Sequence, residues 1–141
     1  MNAAPPHILL VEDNPMDVEL TLQAFKRRKL TNHIDIARDG EEALAWIPRW
    51  EAGGTWPAVI LLDLKLPKVS GLEVLRVLKA HPDLRRLPVV VLTTSADNQD
   101  VRTAYSLGVN SYIVKPVDFD KFVDVAAQIE LYWTVVNAPP V

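Results

Sequence analysis

Four short apolar runs in this chain each stop at residues able to do chemistry. Ile8-Leu9-Leu10-Val11 is followed by Glu12-Asp13, Val59-Ile60-Leu61-Leu62 by Asp63, Pro88-Val89-Val90-Val91-Leu92 by Thr93, and Ser111-Tyr112-Ile113-Val114 by Lys115. Parallel strands covered by helices on both faces present such terminal groups at one rim, in the crevice beyond their carboxyl ends. Glu12, Asp13 and Asp63 gathered there would repel and raise one another's pKa, so the arrangement calls for a cation. A donor set of oxygens without Cys or His favours a hard ion, and Mg2+ fits better than a dedicated Ca2+ cage. Lys115 can hold an anion opposite the metal, and the Thr93 hydroxyl can donate to it. Such a pocket suits a dianionic tetrahedral group beside a carboxylate, which points to an aspartyl phosphate on Asp63. Read alone, Asp63 is equally a strand-ending residue that opens a turn toward Pro67.

The elements that must position these groups are legible from the pattern. Continuous apolar runs rich in β-branched residues read as strands buried on both faces, since a half-exposed strand would alternate. His33-Ile34-Asp35-Ile36-Ala37 does alternate, and reads as a strand nearer the sheet edge. Between the runs lie helix signals. Asn14-Pro15 caps a helix with Val18, Leu22 and Phe25 inward, which runs into the basic Lys26-Arg27-Arg28-Lys29 at its carboxyl end. Asp39-Gly40-Glu41-Glu42 and Ser70-Gly71-Leu72-Glu73 resemble capping boxes. The first opens a helix with Ala43, Leu44 and Ile47 inward that Pro48 should kink or end. A loop with Trp50 and Trp56 then follows, its indoles lying as lids on the core. The second box opens a helix with Val74, Leu75 and Leu78 inward. A helix from about 98 to 107 closes on Gly108, and Asp118 caps the last one, with the stripe Phe122, Val125, Ala126, Ile129, Tyr132, Trp133 and Val136. Five strands alternating with five helices predict an α/β, doubly wound (βα)5 fold. Its five-stranded parallel sheet should be flavodoxin-like, in the order 2-1-3-4-5.

Bulk composition removes several function classes. A length of 141 residues fits one domain, and 15 basic against 18 acidic residues leave no basic field for nucleic acid. Zero Cys excludes disulfides and thiolate metal sites. The first fourteen residues hold no Lys or Arg, and their apolar run is far shorter than a signal core or membrane span, so a soluble, cytoplasmic chain without a membrane partner is expected. His7, His33 and His81 lack metal-ligand clustering and read as structural or solvated.

Taken together, Val-Glu-Asp-Asn-Pro at 11–15, Leu-Leu-Asp-Leu-Lys-Leu-Pro at 61–67 followed by Gly71, Leu-Thr-Thr at 92–94 and Tyr112-Ile-Val-Lys-Pro116 resemble a two-component response-regulator receiver (CheY-like) domain, matched over about residues 7–130. The resemblance implies Asp63 as phosphoacceptor and Asp13, Glu12, Asp63 and the backbone carbonyl of Lys65 around Mg2+ or Mn2+. It implies Thr93 and Tyr112 as the switch pair and Lys115 as the phosphate-pairing lysine. It also implies a sensor histidine kinase as donor, output through the face of helix 4, strand 5 and helix 5, and no turnover of an external substrate. Residues 1–141 then form a stand-alone receiver in which 131–141 extend the last helix and tail. The Trp-bearing loop, the Leu-Thr-Thr-Ser run and the aromatic tail look similar to single-domain regulators paired with phytochrome-type kinases.

Two features depart from the family pattern. Thr94 stands where many receivers have a smaller residue, and it could crowd the phosphoryl approach. The last helical stripe, about eighteen residues or about 27 Å long, overhangs a five-residue strand of about 17 Å. Its exposed end, Tyr132, Trp133 and Val136, suggests a two-fold contact with a second copy. Two other classes share the topology. A dehalogenase-like phosphatase would place an acid two residues after the nucleophile, where this chain has Lys65. A flavin carrier would follow its first strand with a phosphate-binding loop, where Glu12-Asp13-Asn14-Pro15 would repel phosphate.

Overall fold

A computed structural model of the protein describes residues 7–115 and 118–131. Five parallel strands, β1 (Ile8–Val11), β2 (Ile34–Ala37), β3 (Val59–Leu62), β4 (Val89–Thr93) and β5 (Ser111–Val114), form one sheet in the order β2-β1-β3-β4-β5. They alternate with α1 (Pro15–Arg27), α2 (Gly40–Glu51), α3 (Gly71–Ala80), α4 (Asn98–Ser106) and α5 (Phe119–Leu131), as the sequence predicts. A 3-10 turn at Leu84–Arg86, which carries no strong sequence signal, leads into β4. Among the described residues no helix is long and apolar enough to cross a membrane.

Strand periodicity splits the apolar runs between two cores. Leu9, Val11, Ile60, Leu62, Val89 and Val91 face one side with Val74, Leu75 and Leu78 of α3. Ile8, Leu10, Val59, Leu61, Val90 and Leu92 face the other with Val18 and Phe25 of α1 and Phe122, Val125 and Ile129 of α5. Because β1, β3 and β4 are buried along their whole lengths, each Leu or Ile there contributes about 2 kcal/mol of transfer free energy. Slipping one strand by a residue would turn every side chain to the wrong core. Register, and with it the rim, is therefore fixed by packing.

The helix starts form as their sequences require. Asn14 Oδ1 accepts from the Met16 amide at 2.9 Å, Asp39 Oδ1 from Glu42 at 2.7 Å and Ser70 Oγ from Glu73 at 3.2 Å. Pro48 does not end α2, which continues to Glu51. Only the last turn loses an amide there, the proline ring faces solvent, and burial of Trp50 at 4 % exposure holds that turn down. Trp50 is thus a core residue on a helix. Trp56 alone acts as the lid, its indole N–H donating to the Trp50 carbonyl at 3.3 Å. Tyr132, Trp133 and Val136 lie outside the described residues.

Candidate functional site: an acidic rim with one buried lysine

Sheet hydrogen bonding carries the strand register past the strand ends. The Glu12 amide donates to the Ala37 carbonyl at 2.9 Å, Asp63 to Val11 at 3.0 Å and Lys115 to Thr93 at 2.7 Å. By alternation Glu12, Asp63 and Lys115 point to the α1/α5 side, while Thr93 and Tyr112 share the opposite side. Glu12 and Asp63 are buried and Asp13 is exposed, and one carboxylate oxygen from each lies within 4.8 Å of the others. Lys115 Nζ reaches Glu12 Oε1 at 2.5 Å, Asp17 Oδ2 at 2.8 Å and Asp63 Oδ2 at 3.0 Å, with its side chain only 5 % exposed.

Gly71 lets β3 and α3 meet at this rim. Its amide donates to the Leu64 carbonyl at 3.0 Å, and a Cβ there would stand 2.2 Å from the Asp63 carbonyl oxygen. No other residue type fits so close to the backbone of the central carboxylate. The Lys65 amide donates to Asp63 Oδ1 at 3.1 Å, so the turn that carries the Lys65 carbonyl is pinned to the same side chain.

The electrostatics of the cluster are set by burial and by the single cation. Burial pushes the Glu12 carboxyl up to about 7, more than the pull of Lys115 brings it down. Burial would also raise Asp63, but the Thr93 hydroxyl, the Glu12 carboxyl and Lys115 outweigh it and hold Asp63 below the ordinary carboxylate range. Of the two carboxyls, Glu12 is therefore the one that takes up a proton first as pH falls, while Asp63 stays ionised. Burial alone would strip Lys115 of its proton, yet Asp17, Glu12 and Asp63 keep it charged.

Thr93 is fully buried, and its Oγ1 accepts from the Ser95 amide at 3.4 Å. The Tyr112 hydroxyl donates to the Ser95 carbonyl at 2.8 Å, and Ser95 Oγ donates to Asp100 Oδ2 at 2.6 Å. Every strand-end residue singled out from the sequence within the described region thus reaches the rim or the loop beside it. Asp17 was not foreseen. It sits in the first turn of α1, where an acid is explained by the helix dipole. The missed signal is that α1 covers the face to which Glu12 and Asp63 point.

Residues 8–127 match the response regulator receiver domain family. The chain belongs to that family. This receiver is 46 % identical over 134 residues to the probable methanogenesis regulatory protein FilR2 of Methanothrix harundinacea, covering 94 % of this chain and 86 % of the relative. It is similar to the phosphorylated cyanobacterial phytochrome response regulator RcpA, with 38 % identity, a TM-score of 0.88 and coverage of 98 % of this receiver and 100 % of RcpA. The Mn2+-bound form of the response regulator Rcp1 superposes with a TM-score of 0.85 at 39 % identity, over 97 % of this receiver and 100 % of Rcp1. Receiver domains bind Mg2+ or Mn2+ at an acidic site, and the donor chemistry of Glu12, Asp13 and Asp63 suits such an ion.

Of the three histidines, His81 agrees with the sequence reading and His7 and His33 correct it. His81 is structural: its Nδ1 accepts from the Asp83 and Leu84 amides at 3.1 Å each, closing the 3-10 turn, while Nε2 meets Glu51 at 3.0 Å. His7 and His33, far apart in sequence, instead cluster with Asp35 within 4.8 Å, because β1 and β2 pair in parallel.

Proposed function

We propose that this receiver takes a phosphoryl group onto Asp63 from a phosphohistidine of a sensor histidine kinase, and signals through protein contacts without turnover of an external substrate. The observation that carries the reading is Lys115 Nζ at 3.0 Å from Asp63 Oδ2, in a rim where Glu12 and Asp13 bring carboxylate oxygens within 4.8 Å of Asp63. Asp63 is ionised and can attack. The phosphorus–nitrogen bond of the donor breaks as the new phosphorus–oxygen bond forms, and the imidazole leaves. Glu12, Asp13, Asp63 and the Lys65 carbonyl would hold Mg2+ or Mn2+, which when bound neutralises charge on the transferring group. Lys115, already charged and held close, meets the equatorial oxygens from the other side.

The same atoms give a route for the signal. Thr93 Oγ1 turning toward the new phosphoryl oxygens gives up the Ser95 amide, and Ser95 is the residue whose carbonyl anchors Tyr112. One long and one short anchor on the same loop residue make a two-state element that a charge on Asp63 biases toward a different α4/β5/α5 face. The likeness to RcpA supports a phytochrome-type kinase as the donor. A homodimer built on Tyr132, Trp133 and Val136 is supported by spacing alone: these residues continue the apolar period of Phe122, Val125, Ala126 and Ile129, which the domain itself buries against the sheet and α1. Removing residues 131–141 should then lower the mass in solution; an unchanged dimer, or a monomeric full chain, refutes that contact.

Incubation with acetyl phosphate and Mg2+, followed by intact mass, tests the central step. Wild type should gain the mass of one phosphoryl group and Asp63→Asn none. An adduct on the variant, or none on wild type, would overturn the assignment.

A further inference from the structure

We infer that His7, His33 and Asp35 form a second metal site, suited to a borderline divalent cation such as Zn2+, at the end of the sheet opposite the acidic rim. The site is a product of strand register. Ile8 pairs with Ile34 and Leu9 with Asp35, and the Ile8 amide donates to the His33 carbonyl at 2.9 Å. His7, one residue before Ile8, therefore stands beside His33 on the neighbouring strand. Asp35 lies two residues beyond His33, so its side chain leaves the same face of the sheet. The Ala58 amide donates to the His7 carbonyl at 2.8 Å and anchors the third side of the platform.

The side chains follow the backbone. The two imidazole centroids are 4.8 Å apart with 43° between ring planes. His33 Nε2 lies 2.9 Å from Asp35 Oδ1, and His7 Nδ1 lies 4.0 Å from Asp35 Oδ2. One donor atom from each residue falls within 4.8 Å of the other two. A tetrahedral Zn2+ with bonds of about 2.1 Å requires donors about 3.4 Å apart, so closure asks the rings to move by roughly 1 Å. With His7 35 % and His33 60 % exposed, the rings can make that adjustment while the strands hold their Cα atoms in place.

The donor set decides the class of ion. Two imidazole nitrogens and one carboxylate oxygen favour Zn2+, Co2+, Ni2+ or Cu2+ over Mg2+, whereas the rim of Glu12, Asp13 and Asp63 offers oxygen alone. One chain thus presents two sites of different hardness, one at each end of β1. A His–Asp ion pair by itself explains His33 and Asp35. Strand register adds the second imidazole, His7, 4.0 Å from the same carboxylate, and so completes the three donors that a site with an open fourth position needs.

Calorimetric titration of the untagged chain with Zn2+, in excess Mg2+ to occupy the acidic rim, tests the inference. One Zn2+ per chain is expected, with the affinity falling about a hundredfold or more in His7→Ala and in His33→Ala, since even outer partners of metal ligands cost ten- to a hundredfold. Co2+ added to wild type should show visible bands that are lost in both variants. Unchanged Mg2+ binding and circular dichroism in the variants establish that the fold survived. Zn2+ binding that is absent from wild type, that excess Mg2+ abolishes, or that persists at full strength in both histidine variants overturns the site.

Discussion

Lys115 Nζ sits closer to Asp17, at 2.8 Å, than to Asp63, at 3.0 Å. The lysine of the rim is therefore shared between the site and the first turn of α1. Replacing Asp17 by Asn removes a negative charge near the metal-binding carboxylates and releases Lys115 to rest fully on Glu12 and Asp63. Both effects oppose a cation. Asp17→Asn should weaken Mg2+ binding by about three- to tenfold, equivalent to roughly 1 kcal/mol. Calorimetry on both proteins measures it, and equal affinities would show that Asp17 is only a helix-dipole acid.

Glu12 makes the metal-free fold sensitive to pH in one direction. Its carboxyl titrates at about 7 in the fold against 4.5 for a free side chain. Between those values the folded chain holds a proton that the unfolded chain has lost, so this group's contribution to stability falls as pH rises across the window. The full loss is about 3 kcal/mol at pH 8. Asp63, held low, acts in the opposite sense only below its unfolded value of 3.8, outside that window. Urea unfolding at pH 5.5 and pH 8 should show the decline in wild type and a flatter profile in Glu12→Gln. Mg2+ affinity should rise over the same interval, because the ligand must shed its proton.

Gly71 and Gly53 should behave differently when replaced by Ala. A Cβ on Gly71 meets backbone atoms of Asp63 and Leu64 at 2.2 to 3.0 Å, whereas Gly53, at φ +98°, has open space around it. Gly53→Ala should cost only the left-handed strain of about 1 kcal/mol. Gly71→Ala should cost about 3 kcal/mol and displace Asp63 as well. Thermal unfolding reads the first difference. Loss of acetyl phosphate labelling at temperatures where Gly71→Ala is still folded reads the second.

Strand ends were legible in the sequence because buried parallel strands are uninterrupted apolar runs, so the residue that breaks the run marks the rim. Ile8-Val11 before Glu12 and Val59-Leu62 before Asp63 announced themselves in this way. Asp17 did not, because its role depends on which face α1 covers, and that is a matter of packing. The cluster of His7, His33 and Asp35 was hidden for a similar reason: 26 positions separate the two imidazoles in the chain, and only the β1–β2 register joins them. The local cost of proline predicts a stop at Pro48, but burial of Trp50 two residues on keeps the chain helical to Glu51.

Thr94 follows the buried Thr93, is itself exposed, and by alternation leaves the chain on the side to which Asp63 points. Its β-branched side chain has few rotamers with which to move aside. A donor phosphoryl group approaching Asp63 passes the carboxyl end of β4, so an exposed side chain at Thr94 is expected to narrow the path. Truncation to Ala removes the hydroxyl and methyl while leaving β4 and the Ser95 anchor in place. Thr94→Ala should therefore accept phosphate from acetyl phosphate about two- to fivefold faster, the effect of a barrier lowered by roughly 0.5–1 kcal/mol. Mg2+ affinity should stay the same, because the carboxylates are untouched. Equal labelling rates for the two proteins would mean that the approach is governed by charge at the rim, with no steric contribution from this position.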